Sequence, residues 1–183
     1  MIKKALYVLA SIVALIVCSG IYLYNYLVPD ATADNLVNHA TSRTISTGPI
    51  VGFNDKGVDA WLGMRYAQAP IGVLRWRAPK AAKKSPETVD ALSFGSACPQ
   101  SARGSEDCLF INVWSPENSK SLPVMFWIHG GGNSVGEAAT SIYDGSRLAR
   151  ENNVVLVSIN YRLGPLGWFR HPALRTNDTT PAD

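Results

Sequence analysis

The stretch Trp127-Ile128-His129-Gly130-Gly131-Gly132-Asn133-Ser134-Val135-Gly136 holds the residues best suited to chemistry in this 183-residue sequence. Three consecutive glycines let a backbone turn sharply and present its N–H groups with no Cβ in the way. Such groups serve a bound anion or an oxygen that becomes negative during a reaction. Two phosphate-binding readings fail on residue type. A Walker A loop needs Gly-Lys-Ser/Thr and there is no lysine here; the third glycine of a dinucleotide fingerprint would fall on Val135. A plain tight turn is the reading without chemistry. His39, His129 and His171 are scattered without ligand spacing, so no metal is expected.

The loop has to be held by the elements around it. Val124–His129 and Val154–Tyr161 are nearly continuous apolar runs, the pattern of strands buried on both faces. Between them Ser146–Asn152 reads as a helix with Asp144 as its cap and Leu148 and Ala149 facing inward. Strand, glycine loop, helix and strand form a βαβ unit, which implies a parallel sheet with helices on its faces. Thr44–Val51, Trp61–Tyr66 and Leu109–Trp114 are shorter runs with turn residues around them, as in an antiparallel meander at a sheet edge. From Arg65 to Lys84 there are six basic residues and no acid, read as a solvated edge whose arginines pair with acids elsewhere.

His-Gly-Gly-Gly after a strand is the oxyanion-hole motif of lipases and esterases on the α/β-hydrolase fold. Four segments occur here in the order found in type-B carboxylesterases, the family that includes cholinesterases: Gly63–Pro79, Ser105–Trp114 (SEDCLFINVW), His129–Gly132 and Asn160–Gly167 (NYRLGPLG). The sequence therefore resembles the N-terminal part of that family. The resemblance implies an α/β fold of the α/β-hydrolase type, with an antiparallel edge and the start of a parallel core. It implies that the N–H groups of Gly131 and Gly132 are two arms of an oxyanion hole, and that His129 positions the loop rather than acting as the base. Glu106 and Asp107 resemble family acids that pair with arginines; Arg75 and Arg162 are the expected partners, in a structural role.

The implied activity is hydrolysis of a small-molecule carboxylic ester by serine acyl-enzyme chemistry, without a cofactor. That chemistry needs a nucleophilic Ser on a strand-to-helix elbow, then an acid and a His. One Gly-x-Ser-x-Gly string, Gly132–Gly136, offers Ser134 with Asp144 and His171 in the right order. The string overlaps the oxyanion loop itself, and one site cannot be both elbow and donor. The family elbow lies beyond Asp183, so the chain is expected to be a truncated domain without nucleophile, acid or base. A non-catalytic cholinesterase-like adhesion or binding protein is the alternative, and a complete partner module a third.

Residues 1–28 hold 22 apolar residues and two charges, Lys3 and Lys4, ahead of the run Ala5–Leu23. About 20 such residues span the hydrocarbon core of a bilayer as a helix. An uncleaved signal anchor is favoured over a cleaved signal peptide, for which Ala31-Thr32-Ala33 is the candidate site. Cys18 is read as a membrane-facing thiol. The positive-inside rule then exports everything after Asp30, membrane-anchored or, if the signal is cleaved, secreted. Residues 29–44 are polar and aperiodic and read as a linker; residues 45–183 are the domain. Beyond residue 28 the basic and acidic residues number 15 and 14, too balanced for nucleic-acid binding. Cys98 and Cys108 remain in the exported body, where they close a disulfide worth about 3 kcal/mol or stay as thiols. The family commonly closes a disulfide at the cysteine of Ser-Glu-Asp-Cys, which favours the bridge. Asn177-Asp178-Thr179 is a glycosylation sequon for a eukaryotic secretory host.

Overall fold

The computed structural model describes residues 12–20 and 35–174. Residues 12–20 form a helix (α1) exposed throughout. Among the described residues no helix is long and apolar enough to cross a membrane. The rest of the run Ala5–Leu23, the Ala31–Ala33 site and the Asn177 sequon lie outside the described residues. Cys18, within α1, is a free and exposed thiol.

The body is a mixed sheet that begins as an antiparallel meander. Strand β1 (Asn38–Ile45) pairs with β2 (Gly48–Asp55), and β2 with β3 (Val58–Arg65). Lys56 and Gly57, both at positive φ, make the two-residue turn between β2 and β3. That turn's twist matches the right-handed twist of the strands it joins. The short β4 (Val89–Asp90) lies parallel to β2. β5 (Phe110–Pro116) pairs antiparallel with β3 and with β7 (Val155–Ile159); β6 (Val124–Ile128) then adds parallel to β7. The order across the main path is β1-β2-β3-β5-β7-β6, an antiparallel edge leading into the start of a parallel core.

Helix α2 (Gly145–Asn152) links β6 to β7. The Asp144 carboxylate caps it by accepting from the Ser146 N–H at 2.9 Å, and Asn153 in the left-handed region ends it. Ala149 is fully buried against the sheet, within a core of Phe53, Val58, Ala60, Leu62, Trp114 and Leu156. Each large apolar side chain in that core contributes about 1.5–3 kcal/mol relative to exposure. The five-residue helix α3 (Gly164–Trp168) follows β7.

Four expectations need correcting. The linker expected over 29–44 gives way to strand at Asn38: Thr41, polar in type, is fully buried because its Oγ1 accepts from Gly52 N and donates to the Asn38 carbonyl. The single strand expected at Thr44–Val51 is two strands, turned at Ser46–Thr47. β6 is not buried on either face: Val124, Met125, Phe126, Trp127 and Ile128 are 41–64% exposed. It ends the sheet path, and among the described residues no strand lies beyond it. On α2 Leu148 is exposed, and Ala149 alone of the expected pair faces inward.

Candidate functional site

The glycine loop leaves the sheet where β6 ends. His129 is buried at the exit, its ring stacked on Tyr161 at 4.4 Å, and the Tyr161 hydroxyl donates to the His129 carbonyl at 2.7 Å. Its Nδ1 lies 2.9 Å from the Gly130 carbonyl, in hydrogen-bond reach. Nε2 is buried with no hydrogen-bond partner among the described residues. The ring is held by the Tyr161 stack on one face and by Nδ1 at the Gly130 carbonyl, at the start of the loop.

Beyond His129 the chain closes on itself. The Gly131 carbonyl accepts from Ser134 N and Val135 N, both at 3.1 Å. Gly131 (φ 118°) and Gly136 (φ 119°) take conformations open to glycine alone, and a Cβ on either would meet backbone within 3.0 Å. Asn133 sits in the left-handed region at φ 59°, which asparagine tolerates, and its carbonyl accepts from Gly164 N at 2.7 Å. Residues 130–134 are exposed, and the N–H groups of Gly131 and Gly132 donate to no acceptor among the described residues. Two neighbouring unengaged N–H groups at the end of a parallel strand can receive an oxygen that carries negative charge.

Residues from distant segments hold the far end of this loop. Ala138 N donates to Asn160 Oδ1 at 2.8 Å, and Asn160 Nδ2 donates to the Ser96 carbonyl at 3.0 Å. Arg103 binds the buried Glu137 at 2.6 Å. Gln100 brackets Gly136 through its carboxamide. Neither Gln100 nor Arg103 stands in a local pattern that marks it from sequence. Asn160 and Tyr161 lie inside the NYRLGPLG segment, whose pattern does not show what either side chain holds.

The Cys98–Cys108 disulfide is formed and both cysteines are buried. Of the two arginines named for Glu106 and Asp107, Arg75 pairs with Glu106, two-pronged at 2.5 and 2.6 Å. Asp107 does not pair with Arg162. It takes Arg65, again two-pronged at 2.5 and 2.6 Å, because Arg65 leaves the end of β3 beside it. Hydrogen bonding from Arg65 holds the Asp107 carboxyl below the usual carboxylate range, against the opposing effect of partial burial. Arg162 instead donates to the Arg77 carbonyl at 2.9 Å. Its charge also faces Tyr66, whose hydroxyl burial pushes up to about 12 although Arg162 pulls it the other way.

Ser134, Asp144 and His171 do not assemble. Ser134 Oγ donates to the Gly132 carbonyl, Asp144 caps α2, and His171 Nδ1 accepts from Ala173 N. A cleft of about 370 Å³ lined by Phe53, Leu62, Phe94 and Trp114 opens on the α2 side of the sheet, and it shares no lining residue with the 129–136 loop. Among the described residues no cluster could hold a metal ion.

Residues 39–177 match the carboxylesterase family. The para-nitrobenzyl esterase of Bacillus subtilis (strain 168) is 42% identical over 138 residues, covering 69% of this chain and 28% of that protein. The fumonisin B1 esterase of Sphingopyxis macrogoltabida is 41% identical over 143 residues, 72% of this chain and 26% of that one. A solved para-nitrobenzyl esterase superposes with a TM-score of 0.71 at 40% identity, over 73% of this chain and 29% of its own. The chain thus spans under a third of the length of these relatives.

Proposed function

The chain belongs to the carboxylesterase family, and from that premise we propose that it supplies the oxyanion-binding part of a serine carboxylic-ester hydrolase. The observation that carries this reading is the glycine loop after β6, with the N–H groups of Gly131 and Gly132 exposed and unengaged. In the reaction a serine hydroxyl attacks the ester carbonyl carbon, and the carbonyl oxygen takes up the negative charge. The two N–H groups receive that oxygen as the carbon becomes tetrahedral, and their fixed orientation means no reorganisation at that moment. One such donor contributes about 3–4 kcal/mol to the transition state.

The nucleophile, acid and base come from outside these 183 residues. Ser134 belongs to the donor loop itself and has neither Asp144 nor His171 as a hydrogen-bond partner. The substrate is a small-molecule carboxylic ester, and neither a metal nor a cofactor takes part. The body is exported through the N-terminal segment, a reading supported by Lys3 and Lys4 ahead of the apolar run and by the Cys98–Cys108 bridge.

Two assays test the proposal. The 183-residue chain alone leaves p-nitrophenyl butyrate at its background rate; turnover that disappears in Ser134→Ala would overturn the assignment of the nucleophile. A chimera in which residues 39–174 replace the matching segment of the Bacillus subtilis esterase hydrolyses the same ester. A folded but inactive chimera would count against the loop's role.

A further inference from the structure

Gln100 lies in the segment closed by the Cys98–Cys108 disulfide and is buried, 6% exposed. Its carboxamide is fully engaged with backbone. Oε1 accepts from Gly136 N at 2.8 Å, while Nε2 donates to the Gly136 carbonyl at 2.8 Å and to the Cys98 carbonyl at 3.2 Å. A side-chain amide that satisfies both polar groups of one residue imitates a strand partner, and fixes that residue in position and orientation.

The residue so fixed is the post on which the glycine loop closes. Gly136 sits at φ 119°, packed so closely on the His129 ring and the Gly130 carbonyl that no side chain fits. One residue earlier, Val135 N donates back to the Gly131 carbonyl. The orientation of the 131–132 peptide therefore depends on where Gly136 is held. Gln100 is itself anchored: its backbone exchanges two hydrogen bonds with Arg103 at 2.9 and 3.0 Å, and the disulfide begins two residues before it. Arg103 in turn binds Glu137, next to Gly136, so the same segment grips the loop twice.

We propose that Gln100 is a positioning residue for the oxyanion-binding loop, and that through it the disulfide-closed segment 98–108 sets the direction of the Gly132 N–H, which shares its peptide unit with the Gly131 carbonyl. The proposal rests on the functional reading above for the purpose of the loop, though not for the clamp itself. Breaking the clamp leaves Gly136 with both backbone groups unpaired, held only by its packing on the His129 ring and the Gly130 carbonyl. The disulfide then has a second task besides stability, since reducing it frees the backbone that aims Gln100.

The test is amide hydrogen exchange on the full ¹⁵N-labelled chain, comparing Gln100→Met, Gln100→Glu and the parent before and after reduction. Gln100→Met keeps the shape and removes both halves of the clamp. It is expected to raise exchange at Gly136 N–H by about tenfold, the effect of one lost hydrogen bond. The Gly131 and Gly132 resonances shift with it, while Leu156 and Val157 in β7 keep their protection. Gln100→Glu keeps one acceptor but sets its second oxygen against the Gly136 and Cys98 carbonyls, so it too is expected to raise exchange at Gly136 N–H; reduction of the disulfide is expected to raise it by more than the rise that lost stability causes in β7. Unchanged exchange over 131–136 in Gln100→Met, or an equal rise in β7, overturns the proposal. The esterase chimera separates this from the functional reading. If it is inactive with Gln100 intact, the functional reading fails. If it is active, Gln100→Met is expected to lower kcat about tenfold with KM nearly unchanged. An active chimera whose kcat ignores Gln100→Met refutes the positioning role alone.

Discussion

Four glycines of the loop differ sharply in what alanine would meet, and this gives a graded prediction. At Gly130 no heavy atom lies within 4 Å of an added Cβ and φ is outside the left-handed region. Gly130→Ala should be neutral, or stabilising by about 0.4–1 kcal/mol through the unfolded chain. At Gly132 the space is equally open but φ is 60°, so alanine there costs about 1–2 kcal/mol of left-handed strain. At Gly131 φ is 118°, a region that costs a side chain about 1–3 kcal/mol. The Cβ would also strike the Val135 carbonyl, which moves only by breaking the hydrogen bonds of Ser134 N and Val135 N to Gly131, each worth about 1 kcal/mol. The sum for Gly131→Ala is about 3–5 kcal/mol. Gly136→Ala falls in the same range, because its Cβ meets the His129 ring and the Gly130 carbonyl and the Gln100 clamp opens. Urea titrations followed by tryptophan fluorescence, read as midpoint shifts at constant slope, would rank the four variants. The expected order of loss is Gly130 < Gly132 < Gly131 and Gly136. Equal losses at Gly130 and Gly131, or a Gly131→Ala midpoint equal to the parent's, would refute the loop geometry.

Reduction of Cys98–Cys108 should lower stability by about 3 kcal/mol, measured as the urea midpoint with and without a phosphine reductant; an unchanged midpoint would deny the bridge its structural part. Asp107 has its carboxyl held low in the folded state, so its contribution is full above the ordinary carboxylate range and is lost as pH falls through its lowered value. Asp107→Asn should accordingly flatten the acid limb of the stability–pH curve, by about 0.5–1 kcal/mol for a pair this exposed, and leave the alkaline limb alone. β6 presents an apolar, exposed edge, the pattern that recruits a second strand. The isolated chain is expected to self-associate in light scattering, and Phe126→Lys to reduce it; a monodisperse parent would contradict this.

The parts of the fold legible in the sequence were those encoded locally. Asp144 ahead of Ser146–Asn152 gave the helix its start, and VVLVSINY gave the buried β7. The His-Gly-Gly-Gly string located the loop because its Gly131 takes a conformation that only glycine reaches. What could not be read was decided by distant partners. Thr41 looks like linker until Gly52 and the ring nitrogen of Trp61, which donates to its carbonyl at 2.9 Å, place it in the sheet. Asp107 had several arginines within sequence reach, and only the register of β3 beside β5 selects Arg65 over Arg162. Gln100 carries no local pattern at all; its role exists only where segments 98–108 and 129–136 meet. β6 misled for a different reason: its composition is that of a central strand, yet it has an edge strand's exposure.

The central claim is that the backbone N–H groups of Gly131 and Gly132 bind the developing oxyanion, and backbone chemistry tests it most directly. In the esterase chimera, replacing Gly132 by glycolic acid exchanges its amide for an ester and removes one N–H with no change in side chain. Hydrolysis of p-nitrophenyl butyrate should then lose about 10²–10³-fold in kcat, with KM little changed and folding intact. The same replacement at Gly131 should cost a comparable factor, and at Gly130 little. Folded chimeras whose kcat is indifferent to the ester at both Gly131 and Gly132 would contradict the account.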